Sequence, residues 1–156
     1  MKSVVIYFSK FGNTKKVAEV IAKELKSAGP LTLRSYDEIK ISELKEADLV
    51  VMGTPTYNMN LPKSVKPLFD KLPKKILRSK NVASFDTSYK MPKFLSPFTA
   101  AKKLNSKLGR LGGKKIVPPE TFLVTGKEGP LFEGELEHAK KWAKTILDKF
   151  DKDNSK

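Results

Sequence analysis

The sequence predicts an α/β domain in which a doubly wound parallel sheet carries helices on both faces, and three observations lead there. Near-continuous apolar, β-branched-rich runs occur at residues 3–8, 31–35, 48–53, 81–86 and 115–117, the last continuing through 121–124. Amphipathic helical stripes separate most of them, and glycine or proline marks several boundaries. Strands that are apolar on both faces need cover on both faces, and helices between them supply it while making the connections parallel.

Each element has its own signal. The first run, Val4-Val5-Ile6-Tyr7-Phe8, leads to a helix beginning near Lys15, with Ala18, Ile21, Leu25 and Ala28 at i, i+3, i+7 and i+10 and Gly29-Pro30 as its stop. Beyond the third run, Val65, Leu68, Phe69 and Leu72 form a stripe; Ser64 is the expected cap, which puts Pro67 in the tolerated first turn. Ser96-Pro97 is expected to open a helix carrying Ala101, Leu104, Leu108 and Leu111, closed by Gly112-Gly113. The last helix sets Leu136, Ala139, Ala143, Ile146 and Phe150 on one face, with Trp142 beside them for packing. Residues 1–150 read as one domain and residues 151–156 as a polar tail that frays. In such a sheet a ligand lies outside the carboxyl ends of the strands, where the strand order reverses. That directs attention to three loops, residues 9–14, 54–61 and 87–96.

A chain of 156 residues buries roughly 68 to 70% of its extended surface and needs no staple. It contains no cysteine, which excludes disulfides, cysteine-held clusters or zinc, and a cysteine nucleophile. The single histidine, His138, lies among Glu137 and Lys140 and reads as a solvated side chain, so no metal site is expected. The apolar start of the chain is too short for a signal peptide, and nothing approaches the ~20 apolar residues of a membrane span. A cytoplasmic protein is expected.

Lys and Arg number 31 against 17 Asp and Glu, a formal charge of +14, with a pI near 9.8. Most lysines fall on polar faces of the predicted helices and read as interleaved with Glu rather than gathered in one tract. There is no aromatic-studded basic strand and no recognition-helix motif, so nucleic acid is not the expected partner.

The first loop, Ser9-Lys10-Phe11-Gly12-Asn13-Thr14, joins a strand to a helix start. A loop there aims successive backbone N–H groups and the positive end of the helix dipole at one point, and Ser9 and Thr14 add hydroxyls. Gly12 and Asn13 tolerate the left-handed backbone this requires. A phosphate cradle and a plain βα turn both fit this hexapeptide. The second loop, Thr54-Pro55-Thr56-Tyr57-Asn58, and the third, Asp86-Thr87-Ser88-Tyr89, each set a tyrosine beside small polar groups. Two rings from separate loops can sandwich a flat heterocycle while the first loop holds its phosphate.

Taken together the three loops resemble those of the flavodoxins, specifically the short-chain kind, over nearly the whole chain. Ser9-x-x-Gly12-Asn13-Thr14 is similar to that family's phosphate loop, Gly53-Thr54-Pro55-Thr56-Tyr57 to its second loop, and Asp86-Thr87-Ser88-Tyr89 falls at its third. The resemblance implies a five-stranded sheet in the order 2-1-3-4-5 and FMN as cofactor. It implies a phosphate held by Ser9, Thr14 and the N–H groups of Lys10, Phe11, Gly12 and Asn13, and a ribityl chain near Thr54 and Thr56. The flavin ring would lie between Tyr57 and Tyr89, with a carbonyl at Asn58 turned toward its N5. The third loop departs from the family by carrying Lys90, Met91, Pro92, Lys93 and Phe94 in place of a glycine-rich stretch, which makes Phe94 a second candidate for the outer ring face. Flavodoxins are also typically acidic, and this chain is basic.

The resemblance further implies an electron carrier working between redox proteins, with no catalytic residue. An FMN-dependent NAD(P)H:quinone-type reductase on the same fold is the alternative. A receiver domain is excluded, since Ser9-Lys10 and Gly53-Thr54 stand where its acidic residues and phospho-accepting Asp would be. Lys10, Lys63, Lys90 and Lys93 are expected at the rim of the site, where they would steer an acidic redox partner.

Overall fold

β1 (Ser3–Tyr7) and β3 (Leu49–Pro55) are buried almost throughout, as the centre of a covered parallel sheet requires. This computed structural model describes the backbone of all 156 residues and the side chains of all but Ser96, Pro97 and Phe98. β2 (Leu31–Ser35) pairs with the outer edge of β1, and β4 (Asn81–Ser88) with that of β3. β5 (Lys114–Lys115) lies beyond β4, so the order is β2-β1-β3-β4-β5 with every pairing parallel. The expected fold class and strand order are therefore present.

The last run differs from its expectation. Pro118-Pro119 interrupts it, because neither residue has an N–H to offer β4. A sixth strand, β6 (Glu120–Leu123), resumes the pairing with Phe85 to Ser88 and carries the sheet edge to the level of the other strand ends.

Two apolar layers close on the sheet. On one face Val5, Val51 and Phe85 meet Val17, Ile21 and Leu25 of α1 (Asn13–Leu25) and Ala139, Ala143 and Ile146 of α5 (Glu135–Asn154). On the other, Ile6, Val50 and Met52 meet Leu44 of α2 (Ile41–Glu46), Leu68 of α3 (Lys66–Lys71), and Leu104 and Leu108 of α4 (Ala100–Arg110). Helix α2 has no counterpart in the periodicity, since six residues show too little of a 3.6 repeat; its start is fixed by the Glu43 carboxylate accepting from the Lys40 N–H at 3.0 Å.

Three helix ends move. Ser64 lies within a 3₁₀ turn, Lys63–Val65, rather than capping α3, and Pro67 sits in the first turn as expected. The side chains of Ser96 and Pro97 lie outside the described residues; their backbone forms part of a 3₁₀ segment, Lys93–Phe98, and the extended Thr99 delays α4 to Ala100. Helix α5 continues through Asn154, with Asp153 paired to Lys114 at 2.8 Å, so the tail expected to fray from residue 151 is largely helical. His138 is not simply solvated: its ring packs 4.7 Å from that of Phe122, and Glu120 and Glu135 face it at 3.7 and 3.4 Å.

Two residues of the central strands explain themselves by packing. Gly53 lies opposite Phe85, and a Cβ placed on it would meet the Phe85 ring at 2.1 Å. Asp86 is fully buried beneath the start of α4; it accepts from the Thr56 hydroxyl, which in turn accepts from the Ala100 N–H at 2.9 Å. Burial pushes the Asp86 carboxyl above its usual range, while the Thr121 and Thr56 hydroxyls and the Ala101 and Ala100 amides pull it down.

We predict that Gly53→Ala overpacks the core and lowers unfolding stability by about 1–3 kcal/mol, read from urea unfolding. An unchanged midpoint would show that Phe85 yields freely. For Asp86 the folded state holds its proton more tightly than the unfolded chain. Its contribution is therefore complete below the unfolded value and is lost as pH rises through the folded one. The uncharged Asp86→Asn variant lacks that loss, so its melting temperature should gain on the wild type as pH is raised from about 4. Parallel curves would refute the assignment.

Candidate cofactor site

The carboxyl ends of β1, β3, β4 and β6 deliver four segments to one cleft. At the end of β1, Gly12 adopts a left-handed backbone (φ 93°) directly before α1, and its N–H donates to Ser9 Oγ at 3.1 Å. No side chain caps α1, and no acid occupies its first turn. The helix thus presents its first N–H groups and the positive end of its dipole to the cleft.

Thr14 and Thr87 share a hydrogen bond of 2.8 Å between their hydroxyls, tying α1 to the end of β4. Two hydroxyls own two donor hydrogens and the mutual bond uses one, so one remains for a ligand. The Thr56 N–H donates to the Thr87 carbonyl at 2.9 Å and binds the second loop to the third. Beyond it Tyr57 and Asn60 exchange N–H···O bonds of 3.0 and 2.8 Å around a turn in which Asn58 and Met59 both have positive φ, 47° and 57°. This tight turn holds Tyr57 at the wall of the cleft.

Most of the expected site residues come together here. Ser9, Lys10, Phe11, Asn13 and Thr14 line the inner part of the cleft from the first loop, and Pro55, Thr56 and Tyr57 from the second. Thr87, Ser88 and Tyr89 line it from the third, and Asn58 lines the outer part. Gly12 contributes through its backbone geometry rather than to the lining. The Asn13 side chain is also tied to a later segment: its Nδ2 donates to the Glu128 carbonyl at 3.0 Å.

Thr54 and Asp86 are exceptions to the expectation. They face each other in register, both are fully sealed from solvent, and they point to the α4 side of the sheet, because alternation along a strand sends residues 54 and 86 to the opposite face from Phe85 and Thr87. Of the aromatic candidates for the outer face, Tyr89 lines both parts of the cleft, whereas Phe94 is 76% exposed and lines neither. Lys10 and Lys90 stand at the cleft; Lys63 and Lys93 are not among its lining residues.

A fourth wall, Val124 and Lys127, lies outside the three loops to which the sequence points. The Val124 N–H donates to the Ser88 carbonyl at 3.0 Å, and Gly129 packs so tightly on Asn13 that a Cβ there would lie 2.5 Å from its amide. The signal was available, for Gly126 and Gly129-Pro130 follow the last strand of the sheet and that strand also ends at the ligand edge.

The inner part is narrow, about 40 Å³, and the outer part holds about 720 Å³, within the range of small-molecule cofactor sites. Among the described residues, lysines line the cleft and no acid does, which suits an anionic ligand. The Tyr57 hydroxyl is buried without a partner, and burial raises its pKa above the ordinary value. An orphaned hydroxyl, an uncapped helix start and a spare threonine donor are what a phosphorylated heterocycle such as FMN would satisfy.

Comparison with known proteins agrees with this geometry. The family model for flavodoxin matches residues 5–142. A flavodoxin of Clostridium saccharobutylicum is 28% identical over 155 residues, 96% of this chain and 97% of its own length. Among solved structures, a flavodoxin from the domain Archaea superposes with a TM-score of 0.76 at 22% identity, covering 96% of this chain and 98% of that one. A WrbA-like flavodoxin protein from Agrobacterium tumefaciens gives a TM-score of 0.75 at 23% identity, covering 96% and 98%. At these identities the structures share the fold. With the match running over most of its length, the chain belongs to the flavodoxin family, and its cofactor is FMN.

Proposed function

We propose that this protein carries electrons between larger redox proteins, using FMN held at the edge where the four segments meet. The observation that carries the reading is the uncapped start of α1 facing the same cleft as the Tyr57 hydroxyl and Tyr89. FMN supplies the one-electron and two-electron chemistry, and the chain supplies position and electrostatics. In this reading the N–H groups from Lys10 to Asn13 and the hydroxyls of Ser9 and Thr14 bind the phosphate. Thr56 faces the ribityl chain, Tyr57 and Tyr89 flank the ring, and the Asn58 turn offers its backbone to the ring edge. Asp86 acts from beneath, through Thr56 and the start of α4, while Thr54 is sealed beside it with no hydrogen-bond partner among the described residues.

Tuning follows from two opposed effects. Aromatic walls disfavour added negative charge at the ring, while Lys10 and Lys127 favour it. Removing either lysine should lower the reduction potential. Among the described residues no His, Asp or Glu lines the cleft, in keeping with simple electron transfer in the cytoplasm with an acidic redox protein steered by the lysines at the mouth. The WrbA-like neighbour keeps a direct reductase as the rival reading.

The absorption spectrum of the purified protein tests the first half. We predict a flavin spectrum, or its appearance on adding FMN to colourless protein; failure of both would end the proposal. Thr14→Ala should weaken FMN binding about tenfold, the loss expected for one hydrogen bond to a charged group. For the second half, NADPH alone should leave the flavin oxidised over minutes; rapid bleaching with steady quinone turnover would favour the reductase instead.

A further inference from the structure

The positive charge of this protein is concentrated in one stretch of the chain. Residues 61–118 contain 15 Lys and Arg and only two acids, so this stretch supplies +13 of the chain's +14. Of those acids Asp86 is sealed in the core, and Asp70 is paired with Lys66 at 2.7 Å. The expected interleaving with Glu therefore describes α1 and α5 but not α3 and α4.

Helices α3 and α4 cover the same face of the sheet, through Leu68, Leu104 and Leu108, and the Lys107 ammonium lies 5.1 Å from the centre of the Phe69 ring, joining their outer surfaces. Lys103, Lys107 and Arg110 line a groove that ends at Asn60 and Leu61, beside the mouth of the cofactor cleft. The contact is direct. Lys103 Nζ donates to the Met59 carbonyl at 3.1 Å and to Asn60 Oδ1 at 2.9 Å, so the basic face abuts the turn that holds Tyr57. The acids of α2, on the same side of the sheet, are committed elsewhere: Glu43 to Arg34 and Glu46 to Lys2. Met59, which lines the outer cleft, and Phe94, which precedes the lining residue Leu95, are exposed apolar side chains, 43% and 76% accessible.

We infer that the α3–α4 face, with Met59 and Phe94 at its margin, is the docking surface for an acidic face of a redox protein. This rests on the electron-carrier reading above. A charged field beside an apolar contact point is the composition of a protein interface, charges setting orientation and encounter rate and the apolar centre excluding water. An acidic protein seated on this face has its edge at the Asn58–Asn60 turn, next to the cleft, which shortens the path to the cofactor. A nucleic acid would gain nothing from that adjacency, and α4 presents no aromatic side chain for base stacking.

Fluorescent poly-L-glutamate binding at low ionic strength reads the face itself, with or without FMN. The double variant Lys107→Glu/Arg110→Glu should bind it at least tenfold more weakly, and Lys140→Glu/Lys144→Glu on α5 should change binding less than twofold. With FMN-loaded protein and an acidic plant-type ferredoxin as donor, the α4 variant should slow electron transfer by a similar factor. Its flavin spectrum should be unchanged, which separates docking from folding. Equal losses in the α4 and α5 variants, or transfer insensitive to the α4 charges, would overturn the inference. Tighter binding of duplex DNA than of poly-L-glutamate, with the same dependence on α4, would replace the acidic protein by a nucleic acid. Failure of the unaltered protein to take up FMN while the α4-dependent binding persists would instead sink the carrier reading.

Discussion

Parallel pairing of β1, β3 and β4 in one fixed register is the constraint on which the rest of this structure depends. Tyr7 lies opposite Gly53 and Gly53 opposite Phe85, so the three strands end at nearly the same level and release their loops at one edge. Individual hydrogen bonds between the loops contribute only about 1 kcal/mol each. Bonds such as Thr14 to Thr87, Thr56 to Thr87 and Val124 to Ser88 can therefore align a cleft only because the sheet has already brought the chain segments within reach. Gly53 shows how closely the register is tied to the core, since the ring of Phe85 occupies the space where its side chain would be.

The two faces of the sheet divide the labour. On the α1 and α5 side, Phe85, Phe122 and Trp142 meet edge to face and stiffen the layer that packs against α1. On the α3 and α4 side, the sheet presents polar Thr54, Ser84 and Asp86 to the start of α4, and the stretch 61–118 that holds those helices carries +13 of the chain's +14. In the proposed reading, holding the cofactor and meeting a partner fall to different layers that share one edge. Thr56 is where they touch, bonded at once to Asp86 below and to the first amide of α4.

What could be read in the sequence followed the length of the signal. Strands of continuous apolar residues and helices with three or more turns of periodicity announce themselves, and β1, β3, β4, α1, α4 and α5 were legible for that reason. Helix α2 and the turn before α3 are held by single contacts, Leu44 in the core and the Glu43 carboxylate at Lys40, which no periodic pattern records. The break at Pro118-Pro119 was visible as residues but not as a split strand, because the flanking segments still pair with the same neighbour. Within the site, loop positions could be read and side-chain directions could not. Alternation along β3 and β4 decides that Thr87 enters the cleft and Thr54 and Asp86 leave it, and that alternation has a phase only once the core face is known. Lys127 is not legible in the sequence because its loop lies over a hundred residues from Asn13, the partner that brings it in.

The proposed function depends on a backbone cradle at the start of α1 gripping a phosphate. Calorimetric titration of protein stripped of flavin with FMN and, separately, with riboflavin tests this most directly, since the two ligands differ only in the phosphate. FMN should bind at least about a hundredfold more tightly, as charge-assisted bonds to several amides require. Equal affinities for the two would contradict the cradle, and with it the arrangement from which the function has been argued.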